Sequence, residues 1–209
     1  MQQLLRSIAS LGKGSIGSRI RSRMREFRER GQQGEDEIFK ELCFCLLTAN
    51  FSAEGGIRVQ QAVGDGFITL PQAALARRLK SSGYRFPNAR ARYIVEARRH
   101  HGSLKQALYR AGPQQARAWL ANNVLGLGYK ESSHFLRNIG FEGLAIIDFH
   151  IIDLLARHGI IEKPPSRSLS AARYLEIERT LSDIASAAGI SQGELDLYLW
   201  YMETGKILK

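Results

Sequence analysis

Apolar residues recur every three or four positions along almost the whole chain, which is the spacing of one buried face of an α-helix. The stretch "EDEIFKELCFCLLTA" carries such a stripe, typical of a helix packed against a core: Ile38, Leu42, Cys45 and Leu46. Only the short segment "GFITL", residues 66–70, has any strand character. The pattern therefore predicts an all-α fold of roughly ten helices with short connections.

Prolines and a capping pattern predict where several helices begin. Proline fits the first turn of a helix, and three helical patterns follow Pro71, Pro87 and Pro113. Ser191 with Glu194 forms a capping box before "LDLYLWYMETG". These signals place four helix starts on the sequence.

Two further segments complete the organisation of the chain. Ser103 is a candidate N-cap for "LKQALYR". Residues 162–170, "EKPPSRSLS", contain two adjacent prolines and three serines, which predicts a loop. A chain of 209 residues with 44% hydrophobic content can bury a substantial core in one domain or in two small lobes.

The charge of the chain indicates a polyanionic partner. Thirty Lys and Arg residues against twenty Asp and Glu residues give a net charge of +10 and a pI of about 9.9. Between residues 77 and 99 only Glu96 opposes eight basic residues. One interpretation of such a segment is a solvated face, and the other is a nucleic-acid surface on which Arg90, Arg92 and Arg98 face phosphate.

Neither a membrane nor a secretory route is indicated. No run approaches the roughly 18 apolar residues that cross a bilayer. The start, "MQQLLRSIASLGKGS", has no sustained apolar region or small-residue cleavage site, so we expect a cytoplasmic, nucleoid-associated protein. Cys43 and Cys45 lie two positions apart on a helix and point in different directions, which predicts buried, unreactive thiols rather than a disulfide or a shared metal.

The stretch "NNVLGLGYKESSHFLRNIG", residues 122–140, holds two glycines between two helical patterns. Gly126 and Gly128 bracket Leu127. Glycine permits backbone turns that other residues resist and lets a phosphate approach the backbone amides. The first N–H groups of the following helix point the same way. Such a hairpin can hold a nucleic-acid backbone without reading its sequence.

Lys130 is the second residue after this hairpin, and two interpretations stay open for it. It is either an exposed lysine near phosphates or a nucleophile, which requires a neutral amine. Asp148, eighteen positions later, follows an apolar run and opens another helix, where it is a candidate N-cap. An anion fixed at a water-poor position could also stabilise a developing carbocation, although it would favour the charged form of the lysine.

The pattern G-x-G-x-K, followed by an apolar run and D-x-H, resembles the helix-hairpin-helix superfamily of DNA base-excision glycosylases. The segments "CFCLLTANFSAEGG" and "SGYRFPNARARYIVEAR" resemble an early core helix and the basic segment that follows it. The ending "LDLYLWYMETGKILK" is similar to the short prokaryotic 8-oxoguanine DNA glycosylase/AP lyases. Leu125 stands where many relatives have proline, and no cysteine follows Cys45, unlike the iron–sulfur branch.

The resemblance implies a single all-α domain over residues 1–209, with two lobes and a helix-hairpin-helix at about residues 113–140. It implies a monomer that binds double-stranded DNA containing 8-oxoguanine and flips the damaged base into a cleft. The implied activity is excision of that base, followed by strand cleavage through β-elimination. Alternatives are a same-fold glycosylase for another oxidised base and a helix-hairpin-helix DNA-binding protein without catalysis.

The resemblance also assigns roles to individual residues. Lys130 corresponds to the lysine that attacks the sugar C1′ and forms a Schiff base, and Asp148 to the aspartate that stabilises the oxocarbenium-like state. Gly126 and Gly128 correspond to glycines whose amides hold phosphate. His150 corresponds to a histidine near the backbone of the flipped nucleotide.

Three residues are implied to form the base pocket. Phe86 and Trp200 are assigned to it by the resemblance of their surroundings. The carboxylate of Lys209 is implied to reach into the pocket, where it could accept hydrogen bonds from N1–H and N2–H of a purine. The resemblance implies no cofactor and no metal centre, apart from a monovalent cation that the hairpin could hold.

Overall fold

The computed structural model describes residues 1–49, 51–166 and 168–209, so that Asn50 and Arg167 lie outside the described residues. Within these ranges the chain forms thirteen α-helices, one short 3₁₀-helix (Arg98–His100) and no strand. The α-helices are α1 (Gln2–Lys13), α2 (Ser15–Gln32), α3 (Glu35–Thr48), α4 (Ala53–Val63), α5 (Gly66–Thr69), α6 (Gln72–Ser81), α7 (Pro87–Ala97), α8 (Leu104–Ala111), α9 (Pro113–Asn123), α10 (Tyr129–Asn138), α11 (Phe149–Arg157), α12 (Ala171–Ala188) and α13 (Gln192–Thr204). None of these helices is both long enough and apolar enough to cross a membrane.

The predicted helix starts are confirmed. Pro71 directly precedes α6, whereas Pro87 and Pro113 are themselves the first residues of α7 and α9. Ser191 caps α13, because its Oγ accepts a hydrogen bond from the Glu194 N–H at 3.1 Å. In the predicted loop at 162–170 the described residues form no helix or strand.

The weak strand character of residues 66–70 did not lead to a strand. Residues Gly66–Thr69 form the short helix α5, and Phe67 is completely buried. A single amphipathic stretch with no partner strand cannot satisfy its backbone groups, whereas one helical turn can. The remaining chain supplies only helices for it to pack against, and α3 and α7 do so.

The cap of α8 comes from a distant residue rather than from the predicted Ser103. The Ser103 side chain makes no capping bond. The carboxylate of Glu35, at the start of α3, accepts hydrogen bonds from the N–H groups of Leu104 at 2.8 Å and Lys105 at 3.2 Å. A negative charge at a helix N-terminus is favourable, so this contact stabilises both the cap and the packing of α8 on α3.

The helices surround two hydrophobic cores. One core is formed by buried residues between Ile38 and Leu144, with α3 near its centre, and the other by α1, α2 and α11–α13. Cys43 and Cys45 are both free and completely buried in the first core, as predicted. Burial raises the pKa of both thiols well above the ordinary value, so neither is a reactive thiolate.

A buried ion pair joins the two cores. The Arg117 guanidinium donates to both carboxylate oxygens of Glu178, at 2.5 and 2.8 Å, and Arg117 is only 2% exposed. The same carboxylate accepts the Ala145 N–H at 3.0 Å. The guanidinium also lies over the rings of Tyr129 and Tyr174, at 5.0 and 5.5 Å from their centroids. The pair therefore ties α9 to α12 and to the segment that leads to α11.

Two of the three arginines expected to face phosphate are occupied inside the protein, so that expectation is wrong for them. Arg90 is buried and donates to the Ala49 carbonyl at 3.0 Å. Arg98 donates to three backbone carbonyls of residues 66–70, two of them at 2.8 Å. Their guanidinium groups bond to backbone carbonyls at the end of α3 and around α5. Of the three arginines, Arg92 is the exposed one.

We expect replacement of Arg117 by leucine to lower the free energy of unfolding by about 3–5 kcal/mol, because the Glu178 carboxylate would stay buried without its partner. Urea denaturation measures this loss. The matched control is Arg173→Leu, which removes an exposed ion pair with Glu176 and should cost about 1 kcal/mol or less. Equal losses in the two variants would contradict the structural role of the buried pair.

Candidate active site

The glycine hairpin, residues 124–128, connects α9 to α10. Gly126 has φ of 92°, in the left-handed region, and a Cβ there would lie 2.5 Å from the Tyr93 ring. Glycine is therefore required at this position. Gly128 is extended, with φ of −102° and ψ of −169°, and is the N-cap residue of α10. The first N–H groups of α10 have no partner within the helix, so they can bind an anion.

Lys130 and Asp148 line the same cavity, which has a volume of about 790 Å³. The Lys130 side chain lies on the first turn of α10, is 26% exposed, and has its Nζ 3.7 Å from Glu131 Oε1. Asp148 is the N-cap of α11, as predicted: its Oδ1 accepts the N–H groups of His150 at 2.9 Å and Ile151 at 3.0 Å. The two backbone bonds hold the carboxylate in one orientation at the cavity wall.

The end of the chain forms another wall of this cavity. After α13 ends at Thr204, Gly205 adopts a left-handed conformation with φ of 70° and turns the chain back. Lys209 lines the cavity, and its Nζ lies 2.8 Å from Glu41 Oε2 and 4.1 Å from the centroid of the Phe44 ring. Lys209 therefore lines the cavity while its side chain contacts Phe44 of the first core.

Aromatic residues cover a third side of the cavity. His150 and Trp200 both line it, and their rings meet edge to face with centroids 5.1 Å apart. The Phe149 ring also lines the cavity, with its centroid 4.0 Å from that of the His150 ring, and Phe149 is 44% exposed. These flat apolar surfaces are suited to stacking against a nucleobase.

Phe86 is the one predicted pocket residue that the structure places elsewhere. It is 39% exposed at the start of α7, beneath the Arg85 guanidinium, and is not among the residues that line the cavity. The described cavity therefore brings together Lys130, Asp148, His150, Trp200 and Lys209 without Phe86.

His134 belongs to the cavity wall, and sequence reasoning did not single it out. It lies one helical turn after Lys130 and is 7% exposed. Burial lowers its pKa well below 6.5, and the positive charges of Arg137 and Lys130 lower it further, so the ring is neutral. The backbone of Lys209 has the opposite effect and raises the pKa of His134. The available signal was the i, i+4 spacing from Lys130, which places both side chains on one face of α10.

Comparison with known proteins identifies the family and the fold. Residues 20–190 match the family model described as 8-oxoguanine DNA glycosylase. The chain belongs to the 8-oxoguanine DNA glycosylase family. The predicted family and the predicted all-α fold are thereby confirmed, whereas the roles of individual residues stay predictions.

Relatives in this family match over nearly their whole length. An 8-oxoguanine DNA glycosylase/AP lyase of Korarchaeum cryptofilum is 54% identical over 198 residues, which cover 92% of this chain and 93% of that protein. The structure of the Methanocaldococcus jannaschii 8-oxoguanine glycosylase/lyase, in complex with a 15mer DNA containing 8-oxoguanine, superposes with a TM-score of 0.95 at 46% identity over 99% of this chain and all of that one. The 8-oxoguanine DNA glycosylase of Thermotoga maritima gives 0.93 at 45% identity over 100% of this chain and 99% of that one.

A second buried ion pair lies in the cavity wall. Arg137 of α10 is 3% exposed and its Nη1 lies 2.5 Å from Asp196 Oδ2 of α13. Burial raises the pKa of Asp196 to about 6, against the lowering effect of Arg137, and the negative charge of Asp148 adds to the increase. Burial also lowers the pKa of Arg137. Both pKa shifts favour the neutral forms, which indicates that removal of the two charges from water is more unfavourable in free energy than their attraction is favourable.

The raised pKa of Asp196 predicts a specific pH dependence of stability. Between the ordinary value of 3.8 and about 6 the folded protein binds more protons than the unfolded chain, so this group's contribution to stability decreases as the pH rises through that window. Urea denaturation gives the free energy of unfolding of the wild type and of Asp196→Asn at about pH 4 and about pH 7. From the lower to the higher pH, the wild type should lose up to about 3 kcal/mol of stability relative to the variant. A shift in the opposite direction, or none, would contradict the buried environment described for Asp196.

Proposed function

We propose that this protein excises 8-oxoguanine from DNA through a covalent intermediate on Lys130, and that it then cleaves the strand at the abasic site by β-elimination. The observation that carries the proposal is that Lys130 and Asp148 line one cavity beside the glycine hairpin. Membership of the 8-oxoguanine DNA glycosylase family supports it. So does the likeness to a relative whose structure contains DNA with 8-oxoguanine.

The hairpin and the net charge account for DNA binding. The backbone N–H groups beside Gly126 and Gly128 bind a phosphate of the damaged strand, assisted by the positive end of the α10 dipole. A chain of charge +10 gains further affinity from the release of counterions. The cavity of about 790 Å³ lies within the usual range for small-molecule pockets and accommodates a flipped purine nucleoside.

The chemistry requires an amine and a fixed anion. The neutral Lys130 amine attacks the sugar C1′, the bond from C1′ to the base breaks, and the base leaves with the bonding electrons and takes up a proton. Opening of the sugar ring gives the Schiff base. Loss of a proton from C2′ then expels the 3′ phosphate and cleaves the strand. The Asp148 carboxylate, oriented by two backbone N–H groups, stabilises the positive charge that develops on the sugar.

Three wall residues contact the flipped nucleotide in this proposal. Trp200 provides an aromatic surface for the base, and His150, whose ring packs against it, lies near the nucleotide backbone. The terminal carboxylate of Lys209 accepts hydrogen bonds from N1–H and N2–H of the purine. The reaction needs no redox step, and a monovalent cation at the hairpin would assist only phosphate binding.

We expect Lys130→Gln to bind a duplex with one 8-oxoguanine but to form no covalent complex when borohydride is added, because the attacking amine is absent. Gel-shift and denaturing-gel assays measure the two properties. Lys206→Gln is the matched control, since it removes another amine at the same cavity and should leave trapping intact. Trapping by the Lys130 variant through another residue would refute the assignment. If an oxidised pyrimidine were excised faster than 8-oxoguanine from an otherwise identical duplex, the proposal that 8-oxoguanine is the substrate would be refuted.

We expect Asp148→Asn to lower the single-turnover rate of excision on the order of 10²-fold or more, because the carboxylate charge is lost. The free energy of unfolding should change by about 1 kcal/mol or less, since the asparagine oxygen can still cap α11. Ser170→Ala, which removes the side-chain cap of α12, is the control for capping and should leave excision unchanged. If Asp148→Asn lost stability but kept its rate per folded molecule, its only role would be that of an N-cap.

A further inference from the structure

The side chain of Lys209 is buried in a socket between α3 and α4. Its Nζ lies 2.8 Å from Glu41 Oε2, also donates to Gln60 Oε1, and lies 4.1 Å from the Phe44 ring centroid. The side chain is only 10% exposed. A terminal residue is normally frayed and solvated, so this degree of attachment is unusual and requires a physical cause.

Glu41 explains the attachment, because it is a completely buried carboxylate on α3, among the apolar residues of the first core. Asn138 donates to its Oε1 at 2.7 Å, and the cation nearest to its Oε2 is Lys209. The next cation, Arg30, lies 3.6 Å away. Withdrawal of Lys209 would leave Glu41 buried with less compensation, and a buried charge without a close partner is strongly unfavourable. Glu41 and Lys209 therefore hold each other in place.

The backbone of the same residue lies beside the helix that carries the proposed nucleophile. His134 and Lys209 line the same cavity, and the backbone of Lys209 opposes the lowering of the His134 pKa by burial. His134 lies one turn after Lys130 on α10. The side chain of Lys209 is thus held by Glu41 of α3 and Gln60 of α4, while its backbone faces the cavity wall formed by α10.

We propose that Glu41 is a positioning residue, which anchors the Lys209 side chain so that the terminal carboxylate is presented to the base in the cavity. This inference rests on the proposed function of the cavity. It accounts for a lysine at position 209, since a lysine combines a long apolar stem, which passes the Phe44 ring, with a charge that pairs with the Glu41 carboxylate. Glu41 itself acts through Lys209 and contacts no substrate.

The same tail contains a natural comparison. Lys206 pairs with Glu54 at 2.7 Å, but both side chains are about half exposed. An exposed pair of this kind holds its partners weakly, because water and salt screen the attraction. The buried pair should therefore position the tail, and the exposed pair should contribute little.

The experiment compares Glu41→Gln, Lys209→Met, the double variant and the control Glu54→Gln in the full-length protein. The first readout is the rate at which carboxypeptidase B releases Lys209 from the protein without DNA. The second is the single-turnover rate of 8-oxoguanine excision divided by the rate of cleavage at a preformed abasic site, which contains no base to recognise. Melting temperatures report general loss of stability.

We expect Glu41→Gln to release Lys209 about tenfold faster or more, and to lower the ratio of the two rates by about tenfold. Lys209→Met should lower the ratio similarly, and the double variant should be little worse than either single variant, because the pair acts as one unit. Glu54→Gln should change both readouts by about twofold or less.

Other outcomes overturn the inference. An unchanged ratio and unchanged release in Glu41→Gln, with normal excision by the wild type, would refute the positioning role and leave the proposed function standing. Equal losses of both rates, so that the ratio is constant, would show that Glu41 serves only stability. If Glu41→Gln did not fold, Lys209→Met would decide, and an unchanged ratio there would refute the inference. A wild type that excises no 8-oxoguanine would refute the proposed function and the inference with it.

Discussion

The pairing of Arg117 with Glu178 is the interaction on which the arrangement of the site depends. It joins α9, the first helix of the hairpin unit, to α12 on the other core, and its carboxylate also holds the Ala145 N–H. Asp148 follows Ala145 by three positions. The pair therefore fixes the two sides of the cavity relative to each other, so that the lysine after the hairpin and the aspartate before α11 face one space.

Buried charge recurs around this cavity, although the protein as a whole is strongly basic. Asp196 lines the cavity, and Glu41 lies behind its wall, where it contacts Lys209. Each acid is paired with a cation from a distant segment. Desolvation makes such pairs costly in free energy, but an unpaired member costs more. The pairs consequently exclude alternative packings of α10, α13 and the chain end, which are the segments that carry the groups proposed to contact the base.

Local sequence signals predicted the elements well, because their causes are local. The prolines before α6 and at the starts of α7 and α9, and the capping serine of α13, act on the residues that directly follow them. The failures involve distant partners. Glu35 replaces Ser103 as the cap of α8, and Arg90 and Arg98 donate to carbonyls inside the protein instead of facing DNA. A basic residue on a helix looks the same in sequence whether it binds phosphate or a carbonyl.

The sequence alone determined the helical class and the spacing of Gly126, Gly128, Lys130 and Asp148, because helix periodicity and hairpin geometry depend on neighbouring residues. It also placed the family through that pattern. Only the tertiary structure decided which side chains share the cavity, that Phe86 lies outside it, and that Glu41 is the partner of Lys209. Glu41 and Lys209 are separated by 168 positions. Their pairing follows from desolvation in a packed interior, and no local pattern records which distant charge will be buried beside which.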